Sequence, residues 1–469
     1  MRTCNIPWHA RKPKYSRATV AWLRLAAVCV GLALLVGSAH AAAPLASASR
    51  ILVIAPHPDD ETLGAGGLIY SACRRGANVK TVFMTMGDGS AVAAGMLFGT
   101  ARPSLHDMVA LGLRRRNEAV AALGVLGVDE DDIVFLGYPD GGLADIIDNR
   151  HWGPAKPYTS KHTGHAGNPY VSSFTPDAQY CASRIVDDLA TILAEYMPDM
   201  VLVPHPNDTH SDHWATYALT MYTIEQLSYV ELTGASVLAY MLHTGPDWPQ
   251  PWGYRPDLPL DPPRGRDSPP TAWISAELTE DAIAAKLKAL EKYRSQLSGL
   301  SAFLKSFIRT NESFCSVPVL DLAPPQVFGR THKNDAPSTR PDPSPFRVLP
   351  PSGEIRSVVA NRTDDGVAVT AVLAWRPSPS VTYRLQIVSC DPAPELSGLL
   401  YGQRLRPTAK ELTYETTPSS GQRRPWEAVF LIPQHDLESL GPKALIEVVT
   451  IRRGLVLDRS GWILLRLCQ

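Results

Sequence analysis

Apolar and polar positions alternate in blocks along the first two thirds of the chain. Ile51 to Ile54 is an unbroken apolar, mostly β-branched run. Such a run predicts a strand buried on both faces of a parallel sheet. Val79 to Thr85, Ile133 to Leu136, Met200 to Val203 and Val237 to Leu242 repeat the pattern. Between these runs, Met108 to Leu126 and Cys181 to Tyr196 show helical periodicity. A further helix is expected to start near Ser211, and Glu280 to Gln296 to form one that closes the region. Strands alternating with helices predict an α/β fold with a parallel, doubly wound sheet.

Two segments interrupt the alternation. His151 to Pro176 and Gly245 to Pro270 are long, irregular and aromatic, with Trp152, Tyr158, Trp248 and Trp252. Long loops in a compact domain are usually functional or disordered. Their rings suit the apolar faces of sugars, or an insertion packed on the sheet edge. From Lys333 to Gly353 prolines accumulate and the reading is a linker. Beyond it the helical signal stops. Val367 to Trp375, Val381 to Val388, Ala428 to Ile432, Ala444 to Ile451 and Trp462 to Leu467 are short β-like runs, which predict a small β-sandwich. The expected division is a leader over 1–42, a catalytic domain over 43–335, a proline-rich linker over 336–353 and a sandwich-like domain over 354–469. No catalytic constellation falls in the last, so the α/β part is expected to fold and work alone.

Charge changes the picture at the N-terminus. Arg2, Arg11, Lys12, Lys14, Arg17 and Arg24 precede any acid; Leu25 to Val36 is apolar, and Ala39-His40-Ala41 follows. That order is a basic, apolar and small-residue signal for export, so a secreted or periplasmic protein is expected. An uncleaved anchor is the alternative and would bring the chain to a membrane. The formal net charge of −1 offers no basic field for nucleic acid. Seven cysteines without C-x-x-C spacing argue against a cysteine zinc site, and Cys390 with Cys468 is the expected disulfide.

Candidate chemistry sits at two strand ends. Ile51 to Ile54 runs into His57-Pro58-Asp59-Asp60-Glu61, then into the small-residue run Gly64-Ala65-Gly66-Gly67. The glycine spacing is wrong for a dinucleotide loop, and the preceding carboxylates would repel a pyrophosphate. Met200 to Val203 runs into a second cluster, His205, Asp208, His210, Asp212 and His213. Ligands of open α/β sheets lie at the carboxyl ends of strands. A catalytic zinc takes three protein ligands and leaves a position for water. His57, Asp60 and one histidine of the second cluster supply such a set, and Asp59 stands free beside it as a base. His205 and Asp208 read as turn or supporting groups.

These motifs resemble the LmbE/PIG-L family of zinc-dependent N-deacetylases. His57-Pro58-Asp59-Asp60-Glu61 looks like its H-P-D-D-E signature and His210-Ser211-Asp212-His213 like its H-x-D-H element. Arg115-x-x-Glu118, Leu136-Gly137-Tyr138-Pro139-Asp140-Gly141 and Tyr293-Arg294-Ser295-Gln296 are further echoes. The resemblance spans about Arg50 to Leu320. It implies a Rossmann-like fold and Zn2+, with Fe2+ also compatible with two histidines and a carboxylate. It implies His57, Asp60 and His213 as metal ligands and Asp59 as general base. His210 would be general acid and oxyanion partner, oriented by Asp212, and Arg115 and Asp140 would touch substrate. The implied activity is removal of an N-acetyl group from an N-acetylglucosamine-type sugar or glycoconjugate by a zinc-bound water. An amidase for another N-acyl substrate, or an inactive carbohydrate-binding protein, is the alternative.

Overall fold

The computed structural model describes residues 47–228, 234–245, 248–263, 273–322, 326–328, 351–390, 411–416 and 426–467. The expected leader, most of the expected linker and Cys468 lie outside the described residues. In chain order the α/β part runs β1 (Arg50–Ala55), α1 (Asp60–Arg74), β2 (Asn78–Thr85), α2 (Ala91–Phe98), α3 (Leu105–Leu126), β3 (Ile133–Tyr138), α4 (Leu143–Asp148) and α5 (Ala182–Tyr196). It continues with β4 (Met200–Pro204), α6 (Ser211–Ser228), β5 (Ser236–Tyr240), β6 (Trp273–Glu277), α7 (Glu280–Leu290), α8 (Arg294–Lys305) and β7 (Asn311–Ser316).

The seven strands form one sheet in the order β3-β2-β1-β4-β5-β7-β6. The first five are parallel, and β7 runs antiparallel to both β5 and β6. The chain steps outward from β1 to β3, returns to β4 beside β1 and steps outward the other way. That reversal opens a crevice at the carboxyl ends of β1 and β4. Both polar clusters begin there. The doubly wound, mostly parallel α/β fold is thus present, with an antiparallel pair at one edge that periodicity did not predict.

Local chemistry explains the helix ends. Ser104 and Asp107 form a reciprocal capping box for α3, and Gly127 ends it in the left-handed conformation. α1 carries Asp60 and Glu61 in its first turn, where the helix dipole favours negative charge. The small residues of α1 let it lie flat on the sheet: a Cβ on Gly64 would fall 2.5 Å from the Tyr240 ring. The single helix expected over Glu280 to Gln296 is two, α7 and α8. They part around Tyr293, whose fully buried hydroxyl donates to Glu61.

The remaining elements are β8 (Leu320–Asp321), β9 (Gln326–Phe328), β10 (Ile355–Thr363), β11 (Gly366–Leu373), β12 (Thr382–Ser389), β13 (Glu411–Thr416), β14 (Glu427–Pro433), α9 (Gln434–Leu440), β15 (Lys443–Arg452), β16 (Leu455–Arg459) and β17 (Ile463–Arg466). One sheet is β14-β11-β10-β9 and the other β13-β12-β15-β17-β8, with β16 on β15. Val358, Val369, Leu385 and Val448 belong to one buried core shared by the two sheets. β11 and β12 alternate buried and half-buried positions, the period of a strand with one face inward. The change from one architecture to the other falls between Ser316 and Leu320, before the proline-rich stretch.

The sandwich is not an appendage. Val388, Cys390, Leu445, Trp462 and Leu464 pack into the same core as Ile147, Ala218 and Tyr222 of the α/β part. β15 is consequently buried over seven successive positions, on both faces. Residues 48–469 form one compact unit. Among the described residues, Cys73, Cys181, Cys315 and Cys390 form no disulfide, and the expected partner of Cys390, Cys468, lies outside them. No described helix is long and apolar enough to cross a membrane.

Candidate active site

The turn after β1 and the loop after β4 bring the two clusters together. Oδ2 of Asp60 stands 3.0 Å from Nδ1 of His57 and 3.2 Å from Nε2 of His213. His57, Asp60 and His213, expected to form one set, therefore converge. On its other side His213 places Nδ1 3.2 Å from Oδ2 of Asp208. Asp208 is fixed in turn by the backbone N–H groups of His210, Leu242 and His243. The role of Asp208 as a supporting group is visible in that chain of contacts.

The residues fit a divalent cation. His213 is wholly buried, yet its Nε2 has no hydrogen-bond partner. With Nδ1–H given to Asp208, loss of the Nε2 proton to a bound cation would leave a lone pair beside a carboxylate oxygen. A carboxylate holding the far nitrogen of a ligating histidine is the usual support of such a ligand. Nitrogen and oxygen donors suit zinc or iron(II). Donor atoms also gather within 4.8 Å in the sets His57–His210–His213, Asp60–His213–His243 and His57–Asp140–Asp212. His243 was not anticipated. It is a lone histidine after β5, with no local motif to mark it.

Asp59 has φ 126°, a conformation rarely adopted by a residue with a side chain. Arg115 supports this turn. Its guanidinium donates to the carbonyls of Pro58 (2.8 Å) and Gly87 (2.9 Å) and lies 3.5 Å from Oδ2 of Asp59. Burial pushes the Asp59 carboxyl up to about 8, against the pull of Arg115. Burial likewise opposes the charged form of Asp60, but His213 outweighs it and holds this carboxyl low. His213 is raised to about 10: burial works against its charge, and Asp60 and Asp208 overcome it. His210 is lowered to about 4, by burial first and then by positive His57 and His213.

Three residues given roles above make contacts that those roles did not foresee. Arg115, expected on substrate, is buried and donates to two carbonyls of the turns around Asp59. Asp212 does not orient His210 through its side chain. Its carboxylate accepts from the N–H groups of Gly141 (2.6 Å) and Leu143 (3.1 Å) and lies 3.1 Å from Nε2 of His57. Only the Asp212 backbone N–H reaches Nδ1 of His210, at 3.2 Å. Asp140, expected on sugar hydroxyls, has one oxygen on the Gly89 N–H (2.6 Å) and the other 3.2 Å from Nε2 of His57. These differences share a cause. The carboxylates collect around His57, whose charge they stabilise against the cost of burial, so that its pKa rises well above 6.5.

The outlying motifs have structural work. Glu118 of α3 accepts from the Ser295 hydroxyl at 2.6 Å, which ties α3 to α8. Tyr158 and Tyr170 are buried, and Tyr170 donates to Asp88 at 2.5 Å, so most of the first aromatic loop is packing. The second loop remains open. Trp252 is 44% exposed and meets Phe303 edge-on at 6.1 Å, and Phe303 stacks on His243 at 5.6 Å.

Residues 52–224 match the family model PIG-L, GlcNAc-PI de-N-acetylase. A 1D-myo-inositol 2-acetamido-2-deoxy-alpha-D-glucopyranoside deacetylase of Mycobacterium sp. (strain KMS) is 31% identical over 186 residues, 38% of this chain and 51% of that protein. The enzyme of that name from Corynebacterium glutamicum (strain R) is 26% identical over 257 residues, 54% of this chain and 76% of its own. Among solved structures, the N,N'-diacetylchitobiose deacetylase of Pyrococcus horikoshii aligns with 22% identity and a TM-score of 0.36, covering 58% of this chain and 84% of that one. The chain spans about half the length of the mycobacterial relative. The H-P-D-D-E turn and the H-x-D-H loop both lie within the matched residues, so the match to the PIG-L (LmbE-like) deacetylase family covers both polar clusters of the site.

Proposed function

We propose that the protein is an exported, metal-dependent hydrolase that removes an N-acetyl group from an N-acetylglucosamine-type sugar or glycoconjugate. The observation that carries the metal is the buried Nε2 of His213, which makes no hydrogen bond and stands 3.2 Å from the Asp60 carboxylate that also meets His57. The sugar is supported by the names of the relatives, which act on acetamido sugars. Export is supported by the basic and apolar order of the first 41 residues.

His57, Asp60 and His213 would hold the cation, with zinc or iron(II) as the ions such donors take. When bound, the cation supplies an acidified water and polarises the amide carbonyl. Asp59 is the general base that takes the proton of the attacking water. Its carboxylate form, which Arg115 favours against burial, takes the proton, and burial then favours its return to the leaving amine, the acid role expected of His210. His210 accepts the Asp212 N–H at Nδ1, so its ring proton sits on Nε2. A neutral imidazole with Nε2–H can donate to the oxyanion as charge develops there. Arg115 keeps Asp59 in its strained turn, and Asp212 keeps the 141–143 turn against His57.

The test is acetate release from N-acetylglucosamine conjugates and from aliphatic N-acetyl amides, with the metal measured in the same preparation. Faster release from the sugars supports the reading. Equal rates on both would leave only an amidase; metal without turnover would leave a binding protein. Secreted material whose first residue lies close after Ala41 would support export, and an intact Met1 would point to an anchor.

A further inference from the structure

Between the α/β part and the sandwich lies a cleft of about 460 Å3. That volume is in the range of small-ligand pockets, about 300–1,000 Å3. We propose that it binds the sugar unit next to the one being deacetylated, and that it takes a neutral or cationic amino-sugar ring in preference to an anionic group. This rests on the function proposed above.

The cleft adjoins the site through shared chain. Gly141, on its wall, follows Asp140 and donates its N–H to Asp212. Ser211, also on the wall, lies between His210 and Asp212. The sandwich closes the far side. Gly461 has φ +79°, and a Cβ there would fall 2.2 Å from Oδ1 of Asn207, so the sandwich backbone meets the loop that carries the site histidines.

The lining is built for donors. Asp145, Asp148, Glu447 and Asp458 line the cleft, against one cation, Arg459. Arg459 is already engaged: it donates to Asp148 and to Oε2 of Glu447 (2.8 Å), and its guanidinium lies 4.3 Å over the Trp214 ring. Glu447 is wholly buried, and its second oxygen, Oε1, has no hydrogen-bond partner. A buried carboxyl oxygen left over after its arginine is satisfied calls for a hydroxyl, which can donate to it or accept from it. Phosphate would meet like charge. Val456 and Leu457 supply an apolar strip for the C–H face of a ring.

The experiment compares kcat/KM for acetate release from the β-1,4-linked N-acetylglucosamine disaccharide and from free N-acetylglucosamine. Wild type, Val456→Trp and Glu447→Gln are measured. Val456 is 47% exposed, so tryptophan there fills the cleft without entering the core. Wild type should favour the disaccharide about tenfold or more, and both variants should shrink that ratio about five-fold or more. Calorimetry with the deacetylated disaccharide, glucosaminyl-glucosamine, reads the cleft without turnover and should show weaker binding to Val456→Trp. Acetate released equally from both sugars would overturn the cleft assignment and leave the activity intact. So would an unchanged ratio in Val456→Trp, or a preference for a phosphate-bearing aglycone. No acetate from either sugar would overturn the activity, and calorimetry would still decide for or against the cleft.

Discussion

Asp208 stands 3.2 Å from Nδ1 of His213, and the opposite nitrogen of that buried ring has no hydrogen-bond partner. One carboxylate thus fixes the rotation of a histidine that faces Asp60.

Asp208→Ala should therefore weaken metal binding about 10–100-fold, as expected for loss of a group that supports a metal ligand. His213→Ala should remove it altogether. Competition against a chromogenic chelator measures both. Full metal affinity in Asp208→Ala would show that His213 needs no support.

The sandwich should be required for a stable fold. Cutting the chain at Pro337 removes Val388, Leu445, Trp462 and Leu464 from a core they share with Ile147 and Tyr222, and leaves β8 without β17. The truncated protein should aggregate or melt more than about 10 °C below the full chain. A soluble fragment with the same Tm would mean that the shared core contributes nothing.

Glu447 should make stability depend on pH. Burial raises its carboxyl from 4.5 to about 7, against the pull of Arg459. The folded state thus binds a proton that the unfolded chain has already lost, and this contribution is present below 4.5 and lost as pH rises through about 7. Glu447→Gln should flatten the loss by about 1–3 kcal/mol between pH 4.5 and 8. Urea unfolding at both ends of that range gives the difference; parallel curves for variant and wild type would remove the effect.

What was legible in the sequence was contiguous. His57 to Glu61 and His205 to His213 each follow an apolar strand, so the strand fixed their direction and the sheet order joined them. The distribution of partners was not legible. Whether Asp140 and Asp212 serve substrate, His210 or His57 depends on how the turn at Gly141 closes over β1, a long-range contact with no local signal. Arg115 looks like a free cation in sequence, and only the fold shows the Pro58 and Gly87 carbonyls it holds. The antiparallel β6 and β7 hid because Asn311–Ser316 is polar by composition. It is buried through Cys315 because its polar groups are met by Leu260, Lys286 and the N-terminal half of α1. The prolines at 337–351 suggested a boundary, but the architecture changes at Ser316–Leu320, where no composition shift marks it.

In the proposed reaction Asp59 acts on a substrate amide beside a cation held by His57, Asp60 and His213. The most direct test is acetate release from an N-acetylglucosamine disaccharide by chelator-stripped and zinc-restored protein, wild type and Asp59→Asn. Wild type should lose activity on stripping and regain it with zinc. Asp59→Asn should bind zinc as wild type does and lose about 10²–10⁴-fold in kcat. Activity that survives stripping, or a fully active Asp59→Asn, would contradict the account.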